Sequence, residues 1–395
     1  MRRGLTGRYE ISNVGGETIR AFIPYPLPPK PPLQFDTQRQ QLLERATVAL
    51  GRLDSVTLLL PEPHLFLYAY VRREAVLSSQ IEGTQSSLAQ LLLFELEEAP
   101  GAPLDDVIEV SNYVAALEHG LKRLKEGFPL SNRLIREMHA ILLSRGRGSE
   151  RSPGEFRRTQ NWIGGTRPGN AHFVPPPPHY VEDCMAQLER FLHPEGNPYP
   201  ALVKAALAHA QFETIHPFLD GNGRIGRLLI AFILHHDRLL SQPLLYLSLY
   251  FKQHRAEYYR LLDLVRTEGD WESWLDFFLE GVEQTATNAV VTARRLLALF
   301  RQDEQAIQGS RRAASTALRV FRVLCERPLV TVNQVCARTQ LSFPAAARAL
   351  EILASLNIVR EITGQRRNRV FAYQKYLEIL SEGTEISDDR RRDRS

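Results

Sequence analysis

One segment combines residue types and spacings that could do chemistry: His216-Pro217-Phe218-Leu219-Asp220-Gly221-Asn222-Gly223-Arg224-Ile225-Gly226-Arg227. Gly221 and Gly223 let backbone N–H groups turn toward an anion, with a helix N-terminus behind them. Arg224 and Arg227 fall within one helical turn and project toward a common region. Guanidinium groups suit phosphate oxygens, which they bind as a planar fork. Asp220 offers the hard oxygen that Mg2+ takes alongside substrate phosphates. His216, with an unperturbed pKa near ~6.5, suits removal of a proton from a hydroxyl. The set points to transfer of a phosphate-containing group to an alcohol. It is not a P-loop, because G-x-x-x-x-G-K-[ST] occurs nowhere in the chain. It is not an EF-hand either, because the alternating acids and closing glutamate are missing.

Helices must hold this segment in place. The apolar run Leu228–Leu234 suits a buried helix over 223–236, and helical patterns also cover about 104–125, 130–144, 179–193, 199–213, 251–267 and 271–308. Residues 1–35 are proline-rich and predict irregular backbone, with Pro24, Pro26, Pro28, Pro29, Pro31 and Pro32 unable to donate hydrogen bonds. Helix resumes near Asp36, and Phe66–Glu98 reads as helix, break, helix, with the break at Gly83 and Thr84. Between Arg151 and Pro178 the periodicity stops. Asn161–Gly165 and Ala171–Val174 flank Thr166–Asn170, which predicts a hairpin with a longer loop closed by the prolines at 175–178.

A polar stretch at 301–314 reads as a linker. Beyond it, helices at 315–325, 332–338 and 342–356 and a hairpin over 358–373 give three helices and a two-stranded wing, the winged helix-turn-helix layout, over 315–380. The tail 381–395 reads as disordered. The fold class expected is mainly α, with a small β-hairpin and a smaller C-terminal winged domain.

Composition sets the outer limits. The chain has 395 residues, 44% hydrophobic and 24% charged, the balance of a globular chain of two or three domains. Its net charge of +4 is too small for its length to imply nucleic acid without a local patch. Cys184, Cys325 and Cys336 have neither disulfide-framework nor zinc spacing. No apolar run reaches the ~18 residues of a membrane span, and no h-region follows Arg2 and Arg3. A reduced, cytoplasmic setting is expected.

The 216–227 segment resembles the signature of the Fic family, H-P-F-x-[D/E]-G-N-[G/K]-R-x-x-R, at every specified position. The resemblance covers about 36–300, with an N-terminal helical region at 36–98 and a catalytic core at 99–300. It implies a helical enzyme that transfers AMP from ATP to a Ser, Thr or Tyr hydroxyl of a target protein. By position, His216 resembles the general base, Phe218 the apolar anchor of the loop and Asp220 the Mg2+ ligand. Gly221, Gly223 and Gly226 resemble the nucleotide cradle, Asn222 and Arg224 phosphate contacts, and Arg227 the γ-phosphate partner. Tyr250 is a candidate at the adenine, with core packing as the alternative. The 161–174 hairpin resembles the family's flap, with Ile163, Gly164 and Gly165 at the edge that docks an extended target. Ser78-Ser79-Gln80-Ile81-Glu82-Gly83 resembles the inhibitory motif [S/T]-x-x-x-E-[G/N], implying that Ser78 and Gly83 frame a Glu82 that pairs with Arg227.

Expected partners are therefore ATP and a hydroxyl-bearing protein, with a second copy of the chain a further candidate. DNA is a candidate for 315–380, where Arg348 lies on the reading helix and Arg366, Arg367 and Arg369 on the wing. Competing readings are an ATP-sensing transcriptional regulator, transfer of another phosphate-containing group, and removal of AMP.

Overall fold

The computed structural model describes residues 2–59, 63–96, 104–193, 199–310, 314–365 and 367–384, in which fifteen α-helices and five short strands occur. Contacts divide the chain into two compact units: Met1–Asp54 with Asn112–Ala286, and Ser55–Ser111 with Thr287–Ser395.

The first unit opens with an antiparallel hairpin, β1 (Gly7–Val14) and β2 (Glu17–Pro24), where irregular backbone is expected. The prolines that suggested irregularity all lie at or beyond its last residue. Gly15 and Gly16, at φ 58° and 83°, form the two-residue turn in which both central residues need positive φ. The β-branched Thr18, Ile19 and Ile23 supply the strand preference. Helices follow in chain order, with α2 and α3 belonging to the second unit: α1 (Thr37–Leu59), α2 (Pro63–Ile81), α3 (Leu88–Phe94), α4 (Leu104–Lys125), α5 (Asn132–Leu142), α6 (Pro178–Leu192), α7 (Ala201–Ile215) and α8 (Asn222–His236). The pattern expected as one helix over 251–267 is two, α9 (Ser248–Gln253) and α10 (Arg255–Glu268). Between α5 and α6 the expected hairpin is a single antiparallel bridge, Ile163 to Phe173, whose loop holds a 3-10 turn at Pro168–Asn170.

In this unit α7 and α8 pack side by side, and nearly every residue of both is buried. Apolar residues on all sides mark an interior helix rather than a surface one. Trp274, Phe251, Tyr258 and Phe232 are among its largest buried side chains.

The second unit corrects the domain plan. Helix α11 (Trp271–Gly309) runs unbroken through most of the stretch expected to be a linker, and the division falls inside it at Ala286. Residues 287–309 thus group with the C-terminal elements, and so does 55–111, which includes α2 and α3. The remaining elements are α12 (Ala314–Glu326), β3 (Leu329–Thr331), α13 (Val332–Thr339), α14 (Phe343–Ser355), β4 (Arg360–Glu361), β5 (Val370–Ala372) and α15 (Gln374–Ser381). The sheet order is β3-β5-β4, all antiparallel. Strand β3 and helix α15 were not expected. Residues Ser381–Thr384 of the expected tail are ordered here, whereas 311–313, Arg366 and 385–395 lie outside the described residues.

Helix α2 packs against α12 and α15. Its Arg73 donates to the Glu382 carbonyl at 2.7 Å, and Gln80 Nε2 donates to the carbonyls of Ser86 and Thr384, each at 3.0 Å. Phe300, Phe321, Tyr373 and Tyr376 form the aromatic core beside it.

Candidate active site

The signature loop joins α7 to α8, and its geometry begins with His216. This residue caps α7 in the left-handed region, at φ 49° and ψ 60°, with its N–H donating to the Phe212 carbonyl at 2.9 Å. A non-glycine residue there stores strain, which persists where neighbours over-determine it. The main constraint is Arg157, which sequence reasoning did not single out. Arg157 is buried, and its guanidinium donates to the carbonyls of His216 at 2.9 Å, Pro176 at 2.5 Å, and Thr159 and Ile215 at 3.4 Å. Its N–H also donates to Pro217 at 2.9 Å. Burial pushes its pKa down to about 10, which still leaves it charged at neutral pH.

Phe218 is fully buried, stacked on the His139 ring with centroids 3.7 Å apart. His139 Nδ1 accepts from the Gly154 N–H at 2.9 Å, so its proton sits on Nε2 and is donated to the Asp220 carbonyl at 3.0 Å. Asn222 closes the loop from the other end. Its side-chain oxygen accepts from the Phe218 N–H at 2.8 Å and its NH2 donates to the Phe218 carbonyl at 2.9 Å. Asn222 is 2% exposed, and through these two bonds its amide holds the loop. Asn161, at the foot of the flap, donates to Phe218 at 2.9 Å and His216 at 3.4 Å.

Helix α8 starts at Asn222 behind Gly221, and its first turn points N–H groups toward the loop side. Arg224 and Arg227 are 1% and 5% exposed, and Arg224 Nη2 lies 3.3 Å from Asp220 Oδ1. The Asp220 side chain remains 37% exposed. A Cβ at Gly226 would come within 2.3 Å of Glu213 Oε1 and 3.2 Å of Phe212 Cδ1, so these α7 side chains would have to shift to admit it. The Gly226 carbonyl accepts from His209 Nδ1 at 2.9 Å, and His209 Nε2 accepts from the Tyr258 hydroxyl at 2.9 Å. His209 therefore braces α8 against α7 and α10.

The arrangement thus brings together His216, Asp220, Gly221, Asn222, Gly223, Arg224, Gly226 and Arg227 on one loop and helix start. Ile163, Gly164 and Gly165 lie on the neighbouring flap of the same unit. Tyr250 is 5% exposed and packed against His254 and Phe277, with ring centroids at 4.5 and 5.0 Å. Burial pushes its hydroxyl pKa up to about 12. Ser78, Glu82 and Gly83 belong to the second unit. Ser78 is buried, Glu82 is exposed just past α2, and Gly83 has φ 102°. Among the described residues no cluster of three or more His, Cys, Asp or Glu side chains could hold a metal by itself. Asp220 fits Mg2+ in the other common manner, as one carboxylate shared with substrate phosphates.

The two buried histidines make the loop's support sensitive to acid. Burial lowers the pKa of His139 to about 4 and that of His209 to about 3. Both lie below the unfolded value of ~6.5, so the unfolded chain binds protons first as pH falls. The stabilisation is complete above pH ~6.5 and is lost progressively toward pH ~4, with His139 contributing on the order of 3 kcal/mol. Urea unfolding at pH 7.5 and 5 is expected to show a clear loss of stability at the lower pH. Equal midpoints would show that neither ring is held neutral.

Comparison with known proteins agrees with this geometry. Residues 40–122 match the Fic/DOC family N-terminal region and residues 129–234 match the Fic/DOC family. Over 208 residues, 52% of the chain, it is 32% identical to proteins named protein adenylyltransferase Fic from Drosophila grimshawi and Drosophila ananassae. The chain covers 40% and 39% of the lengths of those curated relatives. A crystal structure of a Fic family protein from Desulfovibrio desulfuricans G20 shares the fold, with a TM-score of 0.56 and 20% identity over 87% of this chain and 98% of that one. No helix among the described residues is long and apolar enough to cross a membrane.

Proposed function

We propose that this chain, which carries the Fic/DOC family regions at 40–122 and 129–234, transfers AMP from ATP to a hydroxyl side chain of a protein. The observation that carries the reading is the loop itself: a histidine fixed through its backbone, directly before a helix N-terminus furnished with two buried arginines. In the proposed step the acceptor oxygen attacks the α-phosphorus, His216 takes the hydroxyl proton, and the bond to pyrophosphate breaks. The start of α8 and Arg224 hold phosphate oxygens, and Arg227 takes the γ-phosphate. A Mg2+ ion, held by Asp220, would neutralise phosphate charge when bound. An extended acceptor segment would dock on the flap edge near Ile163–Gly165.

The test is to incubate the Glu82→Gly variant with α-labelled ATP, Mg2+ and a bacterial lysate, then look for labelled proteins. Labelled protein supports AMP transfer. Absence of label together with ATP-dependent DNA binding would favour a nucleotide-sensing regulator instead. Asp220→Ala is expected to lower the labelling rate about tenfold to 100-fold and to remove its Mg2+ dependence. Labelling by this variant that still rises normally with Mg2+ would rule Asp220 out as ligand.

For the C-terminal region we infer a winged helix, supported by the order α12-β3-α13-α14-β4-β5. The exposed side of α14 presents Phe343, Arg348 and Glu351, and Glu351 lies 3.5 Å from Arg369 of the wing. An exposed aromatic and an acid already paired with a wing arginine suit a phosphate backbone poorly.

A further inference from the structure

The N-terminal hairpin belongs to no motif, yet it meets the flap in three places. The Phe22 N–H of β2 donates to the Val174 carbonyl at 2.9 Å. Ile19, Ala21 and Val174 form a small buried cluster, with Val14 and Ala171 packed on it. At the flap turn the Glu17 carboxylate accepts from the Gly169 N–H at 2.7 Å and holds the Arg167 guanidinium. The Glu17 side chain is only 25% exposed although it sits at a hairpin turn.

The hydrogen-bond directions show what this contact does. Ile163 and Phe173 exchange both backbone bonds, at 2.8 and 3.1 Å, so these groups face inward between the two limbs of the flap. The Val174 carbonyl faces the other way, toward β2. On the first limb the same alternation turns the backbone of Trp162 outward. One flap edge is therefore covered by β2, and the other is the edge that carries Trp162, 38% exposed. Its neighbour Asn161 bonds to the carbonyls of Phe218 and His216.

We propose that Glu17 is a positioning residue for the protein acceptor. By holding Gly169 and Arg167 it fixes the flap turn, while β2 occupies the outer edge of the second limb. An extended acceptor segment then pairs with the Trp162 edge alone, in a register tied to His216 through Asn161. This inference rests on the AMP-transfer reading above.

The experiment places Glu17→Ala on the Glu82→Gly background and follows labelling of a bacterial lysate as lysate concentration rises. The half-saturating lysate concentration is expected to increase roughly threefold to tenfold. The plateau rate and the half-saturating ATP concentration should stay within about twofold, because Glu17 touches neither nucleotide nor His216. Glu17→Gln, which keeps an acceptor for Gly169, should recover part of the loss. Hydrogen exchange of a peptide spanning 163–171 should accelerate in Glu17→Ala while 201–236 is unchanged. Unaltered exchange over 163–171 overturns the clamp, and faster exchange with an unchanged lysate dependence overturns the positioning role. A Glu82→Gly parent that labels nothing removes the AMP-transfer reading itself and the role of Glu17 with it; the parent's own blank lane identifies that result.

Discussion

Replacing His216 is expected to lower AMP transfer by about 10²- to 10⁴-fold, the usual contribution of a positioned general base, while ATP affinity changes by less than about threefold. The separation follows from the loop. His216 is held by its backbone, through Phe212 on its N–H and Arg157 on its carbonyl, and neither of these bonds uses the imidazole. The groups proposed to hold phosphate come from α8, beyond the Phe218–Asn222 bonds that close the loop. His216→Ala carries one complication, because alanine at φ 49° is strained. His216→Asn is the better probe, since asparagine tolerates the left-handed region and is no base at neutral pH. Both variants should bind ATP in calorimetry and fail to transfer label. Near wild-type labelling by purified His216→Asn would remove His216 from the chemistry.

The chemistry of this site was more legible in the sequence than its scaffolding. Asp220, Gly221, Arg224 and Arg227 lie within eight positions of one loop and helix start, so spacing alone places them together. Arg157 and His139 act on the same loop from distant parts of the chain. An isolated arginine in a proline-bounded loop, or a histidine in an amphipathic helix, looks like an ordinary surface residue until the fold buries it. The loop carbonyls of Ile215, His216, Phe218 and Asp220 accept from these two side chains and from Asn161, and no periodicity reports such contacts. Asn222 adds to that support, with its buried amide turned toward Phe218.

Element identity was also easier to read than element grouping. Most helices could be placed because their apolar periodicity is local. The N-terminal hairpin was missed because six nearby prolines outweighed its Gly15-Gly16 turn. The polar run near 301–312 suggested a linker, but a solvated helix face is polar as well, and α11 continues to Gly309. Grouping depends on long-range contacts such as Gln80 to Thr384 and Arg73 to Glu382, which join the Ser78–Gly83 segment to the C-terminal elements. Nothing in either stretch of sequence encodes its partner.

Glu82→Gly is expected to raise labelling on the order of 100-fold, and adding Arg227→Ala is expected to abolish the gain. The first change removes the carboxylate that the family resemblance pairs with Arg227, and the second removes the proposed γ-phosphate partner itself. A competing ion pair worth a few kcal/mol is enough for a change of this size, since each ~1.4 kcal/mol is a factor of ten. Loss of structure would not mimic the gain. Glu82 is exposed and lies beyond the last residue of α2, and the turn is held by backbone bonds from Glu82 and Thr84 to Ser79 and from Gly83 to Gln80. Those bonds are backbone bonds that glycine also makes, and thermal unfolding of parent and variant side by side checks that the fold is kept. Glu82→Gln separates charge from bulk: if it activates almost as well as glycine, the negative charge is the inhibitor, and if only glycine activates, the obstruction is steric. A folded Glu82→Gly protein that binds ATP and labels no better than wild type would make Glu82 an ordinary solvated acid at a helix end, and would leave the packing of α2 on α12 and α15 as a purely structural feature.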